Sequence, residues 1–157
     1  MTHTVFINSP LGITKIVGDE NGVSVISILE EGEVSIKIPK ELKEAVSQLE
    51  EYFNKKRINF TFKLNPKGTE FQQKVWLELL HIPFGKTISY LELSKKLGDV
   101  KVIRAAASAN GKNPLWIVVP CHRVIGTDGS LTGYAGGLWR KKWLLEHENP
   151  TNQQSLF

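Results

Sequence analysis

The sequence predicts an α+β chain in two parts, a small N-terminal sheet with one helix and a mainly helical C-terminal part. Three observations carry this. Residues 5–38 hold several short β-branched runs broken by turn signals. Residues 69–111 hold three successive helix-start and helix-stop signals. Between them Asn65-Pro66-Lys67-Gly68 reads as a boundary, giving parts of 1–64 and 69–149.

In the first part Val5-Phe6-Ile7 is a short apolar strand that Asn8-Ser9-Pro10 breaks. Ile13–Val17 and Val23–Leu29 follow as strands. Asn21-Gly22 lies between them as a hairpin turn, because both residues tolerate positive φ. Val34–Ile38 is a third candidate of this kind. Pro39 suits the first turn of a helix, where its missing N–H costs nothing. Leu42, Ala45, Val46, Leu49 and Phe53 then make one buried helical stripe. Ile58–Leu64 reads as a last strand. No chemistry is visible in this part, so its expected role is structural.

In the second part Thr69-Glu70-Phe71-Gln72 is a capping box, in which the Thr and Gln side chains satisfy each other's free amides. Phe71, Val75, Trp76, Leu79 and Leu80 continue it as a largely buried helix, ended by Pro83-Phe84-Gly85. Ser89-Tyr90-Leu91-Glu92 is a second box and opens a short helix through Leu97, closed by Gly98. Asp99 caps a further helix from Val100 to about Ala109, closed by Gly111. Two short helices on a tight glycine turn outline a helix-turn-helix. The second carries Lys101 and Arg104, and its Ala105-Ala106-Ala107 run is slim enough to approach a groove wall.

Charge agrees with this outline. Residues 1–63 carry 8 Lys/Arg and 9 Asp/Glu, whereas residues 64–157 carry 12 and 7, so the positive field belongs to the second part. Residues 86–112 alone carry 6 basic and 2 acidic side chains. Such a surface favours polyanions, since neutralising phosphates releases counterions. There is no signal-peptide pattern and no apolar run long enough to span a membrane. The one cysteine excludes an internal disulfide and fits a reduced, cytoplasmic setting. One Cys and four scattered His offer no metal-ligand spacing.

That cysteine is the chemical feature. Ile117-Val118-Val119 reads as a buried strand, Pro120 stops it, and Cys121 follows on a rigid support. His122 as base or cation and Arg123 as a second positive charge both favour the thiolate, the nucleophilic form. In extended chain, residues 121 and 122 point to opposite faces, so a Cys–His link needs a turn or a bridging water, and the water is favoured. A carboxylate at the end of the last helix, Glu146 or Glu148, could orient the imidazole. The glycine-rich stretch Gly133-Tyr134-Ala135-Gly136-Gly137 could line a narrow pocket for a planar ligand. A hydrolase built on Cys121, His122 and Glu148 is a second reading, and a DNA-lesion binder without catalysis a third. The adjacent Cys–His pair and the basic helices count against the hydrolase.

Pro120-Cys121-His122-Arg123-Val124-Ile125 resembles the active-site signature of the O6-alkylguanine-DNA alkyltransferases, the methylated-DNA–protein-cysteine methyltransferase family. Phe84-Gly85 through Ser89-Tyr90, Arg104-Ala105, Asn113-Pro114, Gly133 to Leu138 and Trp143 to Glu148 fall where that family has them. The resemblance implies a ribonuclease-H-like first part and a winged-helix-like second part holding the helix-turn-helix and the cysteine. It implies transfer of the alkyl group of O6-alkylguanine, with O4-alkylthymine a second candidate, from flipped-out nucleotides in duplex DNA to Cys121, once and without cofactor. His122 would act as base through water, Glu148 would orient it, and Asn113 would be the hinge to the recognition helix. Tyr90 would donate a hydrogen bond to the leaving base. Arg104 would fill the gap in the stack, with Lys101, Ala105, Arg123 and Tyr90 on the DNA side. Tyr134, Ala135, Gly136, Gly137 and Val124 would wall the pocket, and the family often has a hydroxyl residue where Ala135 stands. Some relatives bind zinc through N-terminal cysteines; this chain has none there, so no such site is expected. A monomer bound to alkylated duplex DNA, with no membrane and no metal, completes the expectation.

Overall fold

A computed structural model describes residues 1–131, 134 and 136–150. The chain forms two compact units. One comprises Met1–Lys67 with Pro114–Trp116; the other comprises Gly68–Asn113 and the chain from Ile117 onward.

The first unit is built on an antiparallel meander of β1 (His3–Ser9), β2 (Gly12–Asp19) and β3 (Gly22–Leu29). The β2–β3 turn is made by Glu20 and Asn21, one residue earlier than the sequence suggested, and Gly22 already pairs with Asp19. Gly22 sits at φ 129°, and a Cβ there would lie 3.0 Å from the Lys63 carbonyl oxygen, so the glycine serves a close backbone approach. Pro39 precedes a single 3-10 turn, Lys40–Leu42, which leads into α1 (Lys43–Phe53). Leu42, Ala45, Val46 and Leu49 are buried as expected, but Tyr52 is buried in place of Phe53. They pack with Val5, Ile16 and Ile26 of the sheet as the core of this unit.

Two expected strands are absent. Residues 34–38 are irregular, with Val34 and Ile36 exposed, and touch the sheet through the Ser35 N–H to the Phe6 carbonyl. Residues 58–64 make one isolated parallel bridge, Val23 to Leu64. A side chain replaces the missing ladder, for Gln48 Nε2 donates to Thr61 Oγ1 at 2.7 Å and Gln48 Oε1 accepts the Thr61 N–H at 2.9 Å. Leu115 bridges Ile26, whose N–H and carbonyl bond to Pro114 and Trp116.

The second unit starts at α2 (Glu70–Leu79), whose Thr69–Gln72 capping box is formed in both directions at 2.9 and 3.1 Å. A two-residue strand β4 (Ile88–Ser89) runs into α3 (Tyr90–Lys96), where Ser89 and Glu92 form the second box. Gly98 takes φ 101°, and Asp99 Oδ1 accepts the Lys101 N–H at 2.8 Å. A 3-10 turn then leads into α4 (Ile103–Gly111). Gly111 lies inside the last turn of α4 rather than closing it, and Lys112 is the cap. Helix α2 holds both ends of the helix-turn-helix. Lys74 Nζ reaches the Leu97 carbonyl at 3.2 Å, and Trp76 Nε1 reaches the Ala109 carbonyl at 2.9 Å, so α2 bonds to the C-terminal turn of each helix. Strand β5 (Val124–Ile125) pairs in parallel with β4, and α5 (Leu138–Glu148) ends the described chain. Among the described residues no helix is long and apolar enough to cross a membrane.

Candidate active site

The approach to the cysteine is not a strand. Ile117, Val118 and Val119 are buried as an apolar run should be, yet Ile117 adopts φ 74°, an unfavourable region for a β-branched residue. What holds Val119 is a side chain, since Asn113 Nδ2 donates to its carbonyl at 2.7 Å. Cys121 then opens a single 3-10 turn, Cys121–Arg123, with its N–H on the Val119 carbonyl at 2.8 Å and the Arg123 N–H on the Pro120 carbonyl at 3.0 Å. The turn that a Cys–His pair needs is therefore present.

His122 is fully buried, and its Nε2 lies 2.8 Å from Glu148 Oε2. Glu148 also accepts Arg123 Nε at 2.8 Å and Nη2 at 3.0 Å, while Arg123 Nη1 donates to the Ile82 carbonyl. Burial alone would raise the Glu148 pKa, but His122 and Arg123 outweigh it and hold the carboxyl well below the usual carboxylate range. A permanent carboxylate fixes the tautomer: Nε2 carries the proton and donates it to Glu148, leaving the Nδ1 lone pair as the base. Nδ1 is buried with no partner among the described residues. Burial lowers the His122 pKa, and Glu148 opposes this incompletely. The imidazole is thus neutral at pH 7, an oriented base without its proton. The choice between the two glutamates goes to Glu148, because Glu146 lies within reach of Lys142 on the other side of α5.

Arg123 departs from expectation. The resemblance places it on the DNA side, but it is buried, with its guanidinium engaged by Glu148 and Ile82. Nor does it raise the thiolate population. Burial pushes the Cys121 thiol up, and the opposing influences are the Asn113 side chain, the Lys141 charge, the local backbone N–H and the Tyr134 side chain. Cys121 is therefore chiefly a thiol at rest, and its proton has to be taken.

Lys141 is the functional residue that the sequence reading missed. It is fully buried on α5, its Nζ lies 5.9 Å from the centre of the Tyr90 ring, and burial lowers its pKa to about 8, with Cys121 pulling the other way. The available signal was its spacing: Lys141, Leu144, Leu145 and Glu148 form one inward stripe of α5, and a lysine on such a stripe is not a solvated charge. Lys141→Met is expected to move the pH profile of Cys121 capture by iodoacetamide to higher pH, slowing capture at pH 7 roughly tenfold. An unmoved profile would reject this electrostatic role.

The remaining assigned residues divide clearly. Arg104 and Ala105 are exposed on α4, and Lys101 is exposed on the 3-10 turn that leads into it. Tyr90 is the half-buried first residue of α3, and Val124 is buried in β5. Tyr134 favours the Cys121 thiolate through its side chain, and the Gly137 N–H bonds to its carbonyl at 2.9 Å. Gly137 at φ 95° is the N-cap of α5, and the Gly136 carbonyl accepts Arg140 Nη1 at 2.8 Å. Ala135 and Gly133, assigned to the pocket wall, lie outside the described residues. Among the described residues no three His, Cys, Asp or Glu side chains gather as a metal site.

Residues 70–150 match the 6-O-methylguanine DNA methyltransferase DNA binding domain, and residues 2–66 match the ribonuclease-like domain of the same family. The chain belongs to the 6-O-methylguanine DNA methyltransferase family. It is 44% identical over 149 residues to the methylated-DNA–protein-cysteine methyltransferase of Methanosarcina barkeri, covering 90% of this chain and 94% of that one. The Methanosarcina acetivorans methyltransferase is 43% identical over 155 residues, covering 94% and 98%. Among solved structures, a Mycobacterium tuberculosis O6-methylguanine methyltransferase superposes with a TM-score of 0.85 at 41% identity, covering 96% and 94% of the two chains. The M. tuberculosis OGT in complex with DNA gives a TM-score of 0.85 at 40% identity, covering 98% and 94%. The α+β class expected from the methyltransferase resemblance is the one observed, and the family's ribonuclease-like and DNA binding domains bracket residue 68.

Proposed function

We propose that the protein repairs DNA by moving the alkyl group of O6-alkylguanine, or secondarily O4-alkylthymine, from double-stranded DNA onto Cys121. It acts once, as a cytoplasmic monomer without cofactor. The observation that carries this reading is the buried chain Glu148–His122, whose Nδ1 has no partner among the described residues, next in sequence to the only cysteine.

The alkyl carbon is out of reach inside a stacked duplex, so the nucleotide is turned out into the site. Arg104, exposed on α4, fills the vacated space, and Lys101 and Ala105 face the backbone. His122 Nδ1 takes the thiol proton through a water, and the sulfur attacks the alkyl carbon. A carbon–sulfur bond forms as the carbon–O6 bond breaks. The electron pair goes to the base, whose developing charge Tyr90 meets with its O–H, and a proton returned by this network completes guanine. Glu148 keeps the imidazole in the required tautomer. Lys141 favours charge on the sulfur as the proton leaves. Asn113 bonds Val119 and Cys121 from the end of the recognition helix, the place of a hinge. A thioether is not reversed by cellular thiols, so one molecule repairs one lesion.

The test is intact-protein mass spectrometry after incubation with a duplex containing one O6-methylguanine, followed by peptide mapping. One added methyl group per chain, on Cys121 and without turnover, supports the reading. An unchanged mass with retained duplex binding leaves lesion recognition alone. The wedge has its own test: Arg104→Ala should slow repair of a duplex at least tenfold more than reaction with the free O6-methylguanine base. Equal slowing of both would remove Arg104 from that role.

A further inference from the structure

The last turn of α4 carries a second asparagine whose position has no explanation in packing. Asn110 is only 2% exposed. Its Nδ2 donates to the Cys121 carbonyl at 3.4 Å, and its Oδ1 is buried with no partner among the described residues. The opposite amide orientation would set two acceptors against each other, so the hydrogen-bond network fixes the donor. The Cys121 carbonyl already receives the Val124 N–H, so the Asn110 bond is not needed to satisfy it. By the rules of stability this is a poor residue for the place: a long bond, an orphaned oxygen and an amide inside a helix where alanine is preferred.

Its geometry has meaning beside Asn113. The carbonyls on either side of the Cys121 peptide, those of Val119 and Cys121, are each taken by an asparagine amide, from Asn113 at 2.7 Å and Asn110 at 3.4 Å. The two asparagines are three residues apart and span the end of the helix that exposes Arg104. We propose that Asn110 is a positioning residue for the transfer: paired with Asn113, it clamps the cysteine turn to the recognition helix, so that the helix lying on DNA also sets where the Cys121 sulfur meets the alkyl carbon. This rests on the alkyl-transfer reading. Displacement of a reacting atom by an ångström or less is enough to slow a displacement strongly, because the attack must be in line.

The role predicts a fall in rate without a fall in stability, which a structural residue would not give. In single-turnover transfer from an O6-methylguanine duplex, Asn110→Ala should lower the maximal rate about ten- to hundredfold. The duplex concentration at half-maximal rate should stay within about twofold. The urea midpoint should be unchanged or higher, because an orphaned polar atom is removed. The iodoacetamide pH profile should not shift, since Asn110 acts on position and not on ionisation. Asn110→Leu repeats the test with the space filled. A full rate in both variants overturns the clamp, and so does a rate that falls in step with the urea midpoint. If the unaltered protein takes up no methyl group, the alkyl-transfer reading falls first and the positioning role with it.

Discussion

Cys121→Ala is expected to take up no methyl group from an O6-methylguanine duplex and still to bind it. The sequence holds no other cysteine, so no second thiol can substitute. The remaining nucleophiles near the site are poorly suited. Lys141 is protonated at pH 7, and the His122 Nδ1 pair serves as base rather than as nucleophile. Removing one buried sulfur costs about 1 kcal/mol in stability, too little to unfold a domain of this size. The exposed Lys101, Arg104 and Ala105 are untouched, so affinity for the duplex should stay within about twofold. The check is mass spectrometry in parallel with fluorescence anisotropy on a labelled duplex. A methylated Cys121→Ala chain would move the acceptor elsewhere and dismantle the mechanism.

The second large effect falls on stability. Glu148 is one buried carboxylate facing two buried bases, and Glu148→Ala strands both. Arg123 would keep the Ile82 carbonyl and the Phe84 ring but no countercharge among the described residues, and His122 Nε2 would lose its acceptor. Breaking a buried pair by removing one partner costs about 3–5 kcal/mol, because the other charge stays desolvated. That is a large part of the roughly 5–15 kcal/mol that holds a domain folded. The expected result is a much lower urea midpoint with little change in slope, together with loss of transfer. A stability loss below about 1 kcal/mol would mean that Arg123 finds water or another acceptor. The same group predicts acid sensitivity. Both Glu148 and His122 have folded pKa values below their free ones, so each contributes stability above its free pKa and loses it as pH falls. Loss should begin below about pH 6.5 through His122 and deepen below about pH 4.5 through Glu148. A flat stability profile from pH 7 to 4 would contradict this.

What could be read in the sequence was what is settled locally. The capping boxes at Thr69 and Ser89 and the Gly98 and Asp99 turn are bonds within four residues, so the helix-turn-helix was legible. Cys121, His122 and their flanking prolyl and arginyl residues were legible as a motif. Most of the failures trace to a distant partner. Residues 58–64 and 117–119 have the composition of strands, but Gln48 and Asn113 take the carbonyl and amide groups that a ladder would have taken. Val34 and Ile36 are apolar without being buried. Arg123, expected on the DNA side, is held inside by a carboxylate 25 positions away, and Lys141 carries no local motif. Only the inward stripe of α5 hinted otherwise.

The return of Pro114–Trp116 to the first unit bears on synthesis. A ribosome that has released the first 67 residues has not yet released all that this unit requires. The Ile26 N–H and carbonyl wait for Pro114 and Trp116, and the Leu115 side chain, fully enclosed in the finished protein, is still missing. The N-terminal unit therefore completes its folding only after the helix-turn-helix has emerged, and a nascent chain paused between them exposes an unfinished edge on β3.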